Sequence, residues 1–586
     1  MFDLIISGGT LVDGTGAPGR KADVAVNGDR IAAVGDLTGA TARETIDATG
    51  LTVTPGLVDI HTHFDGQVSW DGDLAPSCFH GVTSVVMGNC GVGFAPARPD
   101  KHDWLIELLE GVEDIPGTAL AEGLTWDWET FTEYMDALGR REFTLDVGAQ
   151  VPHAALRAYV MGERGADASI EPTDAELAEM ARLTAEAVEA GALGFSTSRS
   201  VYHKTLSGEQ IGTLHATDRE LLAIAKAMGE TGRGVLQWLS DVYFSADRAY
   251  AEHEIALVRQ MAEVSGRPVS ISVQQPVTNP EQWRWIFREI AAMRADGLDV
   301  SAQIAVRAVG SIYGLNATRT PFSHTPSYAA IAHLPLAERV AQMRDPAVRA
   351  RILAEHSGDH DHKMGAINIS GFNQMFRMAD LVDYEPSRDV SLAAEAERLG
   401  RDPVEYCYDV LLEDDGHMLL YIPILNYLTG DLSVVHEMME YDFVLFGLSD
   451  AGAHVGFICD ASFPTHALAF WPRGSRAGLS RSFEDMVHGY SQRSARHVGW
   501  HDRGVVAPGY VADLNIIDRD QLALYRPHLV HDLPAGGKRL MQKARGIRTT
   551  IKSGSVIVRD GELTGARPGH LIRGEREPEL APLMPA

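Results

Sequence analysis

Between residues 55 and 495 short apolar runs alternate with helical patterns, and that alternation leaves few folds open to the chain. Parallel strands need long crossovers, usually helical, so the pattern reads as successive βα units around a parallel sheet. Eight runs are legible, at 57–60, 84–87, 144–148, 193–196, 235–239, 269–273, 300–304 and 443–448. Eight units predict a (β/α)8, TIM-like barrel. The stretches 174–190 and 219–231 carry apolar residues at helical spacing and begin near Thr173 and Thr217, residues suited to N-caps. The gap between strands seven and eight, about 305–442, is too long for one crossover. It predicts a long insertion, read as a lid, holding His324, Tyr328 and the cluster His360-Asp-His-Lys363.

The two ends share a different texture. Residues 2–54 read as short strands, and Asn27-Gly28 between 22–26 and 30–34 is a hairpin signal, because a type I′ turn needs positive φ at both central positions. Residues 504–517 and 549–558 look alike in kind. The expected organisation is therefore a small composite β-sandwich from 1–54 plus 496–586, closing outside a 55–495 barrel.

Composition narrows the partners. Fifty-one Lys and Arg against 80 Asp and Glu leave a net charge of -29, which repels phosphate backbones and anionic headgroups. A small-molecule substrate is expected, without nucleic acid or membrane, and homo-oligomerisation is left open. The four cysteines, Cys78, Cys90, Cys407 and Cys459, are far apart and few, which fits a reducing compartment. The start, Met-Phe-Asp-Leu-Ile-Ile-Ser, lacks a basic region and a long apolar core, so no signal peptide is read and a cytoplasmic location is expected.

The chemistry points to the end of the first strand. His61 and His63 lie two apart after an apolar run, so their imidazoles share a face while Thr62 points away. They read either as a chelating pair or as polar residues at a strand end, with Asp59 or Asp65 available to accept from the second ring nitrogen. Chemistry in such barrels sits at the C-terminal strand ends. Cys90 follows strand two, as a ligand or a small buried residue, and Asp450 follows strand eight. A closed barrel sets strand eight beside strand one, so Asp450 is expected next to the histidine pair, where a carboxylate can ligate a metal and take a proton from water.

Pro55-Gly-Leu-Val-Asp-Ile-His-Thr-His63 with Asp65, and 83–96 with Asn89-Cys90-Gly91, resemble the amidohydrolase superfamily, specifically its N-acyl-D-amino-acid deacylase (D-aminoacylase) branch. Gly191-Ala-Leu-Gly-Phe-Ser-Thr197, Leu448-Ser-Asp450, 504–513 and Ser553-Gly554 extend the resemblance over nearly the whole chain. It implies a metal-dependent hydrolase of C–N bonds, usually with zinc, and carries ligand roles onto His61, His63, Cys90 and Asp450. Asp450 is then also the general acid and base.

The chain departs from the branch at informative places. Where relatives have histidines after strands five and six, this sequence has Gln237 and Gln274-Gln275. An amide oxygen is a weak donor, so these glutamines ligate feebly, bind water or fill space, with water or substrate contact the expected role and one Zn2+ per chain the expected count. His203 and His215, in the loop after strand four, are either replacement ligands or solvated loop residues. His153, in Val-Pro-His-Ala-Ala-Leu-Arg157, falls where the branch has a Gly-His near the site. The branch's His-Pro-Arg after the Asp motif, its arginine suited to a substrate carboxylate, reads Phe463-Pro-Thr here, with Arg473 further on as a candidate for substrate contact or for a supporting role beside the site. An N-acyl-D-amino acid or related N-acyl compound is the expected substrate; a cyclic amide, a lactam or a non-catalytic ligand-binding barrel are the alternatives.

Overall fold

The computed structural model describes residues 1–356 and 372–574. Each of the eight apolar runs overlaps a strand: β1 (Leu57–Asp59), β2 (Val82–Met87), β3 (Asp146–Ala149), β4 (Gly194–Arg199), β5 (Val235–Ser240), β6 (Val269–Ser272), β7 (Val300–Ile304) and β8 (Val444–Phe446). Nearly all their residues are buried, on both faces, which explains why they read as apolar runs rather than alternations. All their pairings are parallel. One sheet runs β1-β2-β3; Gln150 then interrupts the third strand, and Val151–Pro152 opens a second sheet that runs through β4, β5, β6, β7 and β8. A parallel bridge between Thr62 and Ala451 joins the chain leaving β1 to the chain leaving β8. Two segments almost 400 residues apart thus meet at their C-terminal ends.

The helices between these strands start where their side chains can satisfy free backbone amides. In α1 (His102–Glu113) Leu105, Leu108, Leu109 and Val112 form the buried stripe. In α2 (Asp174–Glu189) Thr173 and Glu176 form a reciprocal capping box, and in α3 (Asp218–Glu230) the Thr217 side chain accepts from the Glu220 amide. Such caps stabilise a helix by about 1 kcal/mol each.

A four-stranded sheet built from Phe2–Ser7, Asp23–Asn27, Arg30–Gly35 and Ala42–Asp47 belongs wholly to the N-terminal segment. A seven-stranded sheet mixes both ends, its seam being Thr52–Pro55 antiparallel to Leu514–Ile517. Leu4, Ile6, Val24, Val53, Leu514 and Ile551 share one apolar core. The hairpin differs from expectation by one residue. Asn27 pairs with Arg30, so Gly28 and Asp29 make the turn, and positive φ falls on Gly28 alone, as in a II′ turn.

Between β7 and β8, Val309–Gly314 runs antiparallel to Leu419–Leu425, with Phe376–Arg377 on the other edge. Helices Leu336–Arg344, Pro346–Glu355, Leu392–Leu399 and Pro403–Leu411 pack on a separate apolar core that includes Tyr328, Val340, Ile352 and Tyr408. The His324 ring lies 5.1 Å from that of His356. The cluster 360–363 lies outside the described residues. All four cysteines are free and buried. No helix among the described residues is long and apolar enough to cross a membrane.

Candidate metal centre

Thr62 fixes the direction of its neighbours. Its amide and hydroxyl both donate to the Val86 carbonyl, at 3.0 and 2.8 Å, and the His63 amide donates to the Ala451 carbonyl at 2.8 Å. The chain leaving β1 is therefore pinned on both sides, and the two imidazoles project together with ring centroids 5.6 Å apart. His61 Nε2 stands 3.2 Å from Cys90 Sγ and 3.4 Å from Asp450 Oδ1, while His63 Nε2 is 3.7 Å from the same Asp450 oxygen. His61, His63 and Cys90 are buried, with one ligand atom from each within 4.8 Å of the other two, whereas the Asp450 side chain is 26% exposed and so remains reachable from outside.

Backbone of unusual shape delivers these donors. Gly88 has φ +76°, and a Cβ on it would lie 2.2 Å from the Gln150 carbonyl oxygen, so only glycine lets β2 turn there. Cys90 (+54°), Leu448 (+59°), Asp450 (+47°) and His454 (+50°) adopt left-handed φ without being glycine. Such residues cost on the order of 1–3 kcal/mol each and persist where surrounding structure over-determines them. Here the Cys90 amide donates to Gln237 Oε1 at 2.9 Å, and Asn89 Nδ2 donates to the Thr62 and Val86 carbonyls.

A second layer orients the imidazoles. Gln303, on β7, accepts from His61 Nδ1 at 2.8 Å and donates through Nε2 to Ser270 Oγ at 2.8 Å. The amide oxygen thus faces His61, which sets the proton on Nδ1 and leaves the Nε2 lone pair toward Cys90 and Asp450. Glu113, the last residue of α1, stands 3.4 Å from His63 Nδ1 and 3.7 Å from His454 Nε2, at ion-pair rather than hydrogen-bond distance. Burial lowers His61 to about 4, only partly offset by Asp450. Burial also opposes charge on His63, but Glu113 and Asp450 overcome it and raise that imidazole. Asp450 is held well below the usual carboxylate range because His63 and His61 more than offset its burial. Burial pushes the Cys90 thiol up to about 12.

The donor set fits a zinc-type cation. Tetrahedral ligands at ~2.0–2.3 Å from zinc stand roughly 3.3–3.8 Å apart; the separations of 3.4 and 3.7 Å fall in that range and the 3.2 Å between His61 Nε2 and Cys90 Sγ lies just below it. Two imidazole nitrogens, one sulfur and one anionic oxygen suit a borderline-soft metal, and a cation is what would displace the proton that Glu113 and Asp450 favour on His63 and draw a thiolate from a thiol this buried.

The remaining expected residues are placed differently. Asp59 accepts from Ser449 Oγ at 2.5 Å and from the His61 amide, and so ties β1 to β8 instead of orienting a ring. Asp65 is buried, accepts from the Gly88 amide and is raised to about 7 by burial; it too leaves both imidazoles to Gln303 and Glu113. Gln237 holds the Cys90 amide, and Gln274 accepts from Asn426 Nδ2, which anchors the returning strand of the insertion. Both side-chain oxygens therefore accept from protein groups. His153 has both nitrogens occupied, by Thr197 Oγ1 at 2.8 Å and Glu220 Oε1 at 3.0 Å. Arg473 donates to the carbonyls of Leu522, Arg519 and Asp520 in the terminal segment. His215 is exposed in its loop, whereas His203 is half-buried, hydrogen-bonded to Ser198 Oγ at 2.9 Å, and lowered to about 3 by burial and then by His63 and His454. Gln303 and Glu113 went unread in the sequence; Gln303 offers one signal, a polar residue within a buried and mostly apolar strand, whereas Glu113 stands among other acidic residues and offers none.

The chain is 35% identical over 272 residues to a D-aminoacylase of Alcaligenes xylosoxydans xylosoxydans; the match covers 46% of this chain and 49% of that protein, about half the relative's length. It is 40% identical over 200 residues to an N-acyl-D-glutamate deacylase of the same organism, covering 33% and 37% of the two chains. Among solved structures it is similar to a D-aminoacylase studied for the role of its binuclear metal centre (25% identity, 98% of this chain, 100% of that chain, TM-score 0.64). It is also similar to the N-acyl-D-glutamate deacylase of Bordetella bronchiseptica complexed with zinc and a phosphonate inhibitor (26% identity, 98% and 100% coverage, TM-score 0.62). The amidohydrolase family model matches residues 44–558, and the chain belongs to that family.

Proposed function

We propose that the chain is a metal-dependent hydrolase that cleaves the amide C–N bond of a small N-acyl compound, with N-acyl-D-amino acids as the substrate class. One observation carries the reading: buried His61, His63 and Cys90 converge with the Asp450 carboxylate where β1 and β8 meet. The two parallel sheets and the Thr62–Ala451 bridge are read as one (β/α)8 barrel, of 55–495, with the ends of the chain forming its β domain. His61, His63, Cys90 and Asp450 would hold one Zn2+ per chain. The engagement of Gln237 and Gln274 with protein partners supports that count.

A Zn2+ held by these residues would supply Lewis acidity for the scissile carbonyl and would lower the pKa of a water toward neutrality. His61, held by Gln303, presents its Nε2 lone pair inward, and His63, with Glu113 3.4 Å from its Nδ1, would offer Nε2 once the metal displaces its proton. Asp450 Oδ accepts the proton that the attacking water loses and delivers it to the amine nitrogen as the C–N bond breaks. Amide and water thereby become carboxylic acid and amine. The lowered proton affinity of Asp450 keeps it in the basic, receiving form at neutral pH.

The test is hydrolysis of an N-acyl-D-amino-acid panel by zinc-loaded wild type and Asp450→Asn, with metal content measured in both. The variant keeps an oxygen donor and loses the base, so turnover is expected to fall by about 10²–10⁴-fold. An equal rate at equal metal content removes Asp450 from the mechanism, and an inert wild type removes the substrate class.

A further inference from the structure

Four protein donors already fill a tetrahedral shell, and zinc in catalytic sites expands to about five positions. One further position cannot serve the attacking water and the scissile carbonyl together. With His61, His63, Cys90 and Asp450 all directed at one metal, the negative charge that gathers on the carbonyl oxygen calls for a second donor from the protein.

Such a donor must carry a proton, be free of protein partners and stand beside the centre. Two imidazoles near the centre fail the second condition: His203 is bonded to Ser198 Oγ at 2.9 Å, and His454 Nε2 faces Glu113 at 3.7 Å. A neutral imidazole, moreover, carries a proton on only one of its nitrogens.

Tyr243 meets all three conditions. β5 ends at Ser240, and the chain turns at once through a short 3-10 segment, Asp241–Tyr243, at the C-terminal end of the strand. The turn is pinned from several directions. Ser240 Oγ accepts from the Val242 amide at 3.3 Å, and Asp241 accepts from Ser200 Oγ at 2.7 Å and from the Val201 amide at 2.8 Å. The Val242 carbonyl accepts from Gln282 Nε2 at 3.1 Å, at the start of the helix Gln282–Ala295 that follows β6. The segments after β4 and β6 thus fix the end of β5, and the Tyr243 ring packs on Phe244 with centroids 4.4 Å apart.

The same strand reaches the metal centre, since Gln237 of β5 accepts from the Cys90 amide. Burial raises the Tyr243 phenol, and Asp241, Cys90 and Asp450 add to the effect. The hydroxyl therefore keeps its proton and lies in the field of two donors of the centre. Tyr384, Tyr408 and Tyr427 give their hydroxyls to protein acceptors at 3.1, 2.8 and 2.7 Å. Tyr243 is only 7% exposed, yet its hydroxyl has no hydrogen-bond partner among the described residues and is not enclosed.

We infer that the Tyr243 hydroxyl donates a hydrogen bond to the scissile carbonyl oxygen and holds it as the tetrahedral oxyanion forms. The inference rests on the hydrolase reading and its one-metal count. No proton is transferred at this residue: the phenol keeps its O–H bond while Asp450 carries the proton from water to the amine nitrogen. A donor already fixed by its surroundings needs no reorganisation when the charge appears.

Methylphosphonate, tetrahedral and anionic where an acetyl carbon under attack would be, is the probe. It is titrated calorimetrically into zinc-loaded wild type and Tyr243→Phe, with metal content and unfolding midpoint measured in both. The expected result is binding at least tenfold weaker in the variant, at unchanged metal content and midpoint. For an N-acyl-D-amino acid that the wild type hydrolyses, kcat falls by about 10²–10³-fold at unchanged KM, the pattern of an interaction made only in the transition state. Equal affinity for methylphosphonate in the two proteins, no binding by wild type, or weaker binding accompanied by loss of metal overturns the inference. If methylphosphonate binding depends on Tyr243 while no N-acyl compound is hydrolysed, the donor stands and the hydrolase reading alone fails.

Discussion

The side-chain oxygen of Gln303 lies 2.8 Å from Nδ1 of His61, across 242 residues of sequence. It fixes which imidazole nitrogen is free, and Ser270 fixes the amide in turn. Gln303→Leu removes the acceptor and leaves a buried Nδ1–H unpaired. Metal affinity is expected to fall about 10–100-fold, less than in His61→Ala, which removes the donor itself. Gln303→Glu keeps an acceptor and should retain more metal than Gln303→Leu. Metal retained against graded chelator is the measurement, and equal retention by wild type and Gln303→Leu would show that the ring is oriented by something else.

What the sequence made legible was local. The strands could be read because both their faces are buried, which leaves apolar runs, and His61 and His63 because alternation along an extended chain is a strict rule. The meeting of the β1 and β8 ends followed from the cyclic order of strands. Partners chosen by tertiary packing were not legible: Gln303 and Glu113 carry no spacing that points to a histidine, and Gln237 and Gln274 look alike in sequence yet hold a cysteine amide and a strand of the insertion. Arg473 follows the helix Phe463–Phe470 and meets carbonyls of the terminal segment, partners that no spacing in the sequence signals. The hairpin slipped by one residue because Asn-Gly and Gly-Asp both suit a two-residue turn, and only the pairing of Asn27 with Arg30 selects between them.

His153 belongs to a buried charged group in which Glu220 Oε1 meets His153 Nε2 at 3.0 Å and Glu220 Oε2 meets Arg157 Nη1 at 2.6 Å. All three are essentially without solvent contact. Glu220→Gln leaves Arg157 buried without a counter-charge, an arrangement that costs about 3–5 kcal/mol. Unfolding in denaturant should shift accordingly while bound metal stays at the wild-type level. Loss of metal with unchanged stability would instead return His153 to the metal centre.

Asp146 accepts from Lys552 Nζ at 2.6 Å and Arg503 Nη1 at 2.5 Å, and Lys552 also meets Asp513 at 2.9 Å. This buried cluster fastens the start of β3 to the terminal strand Ile547–Lys552. Burial by itself would raise the Asp146 carboxyl, but Lys552 and Arg503 hold it below the ordinary carboxylate range. A carboxyl depressed in the folded state binds fewer protons there than in the unfolded chain, so its stabilisation is complete above the unfolded value, roughly 4. It is lost as pH falls through the lower folded value. Asp146→Asn should therefore lower stability at neutral pH by about 3 kcal/mol or more and, in the same protein, flatten the fall in stability below about pH 4. Unfolding midpoints measured from pH 7 down to pH 2.5 in wild type and variant decide it. Parallel curves would mean that Asp146 is no more depressed in the folded protein than in the unfolded chain.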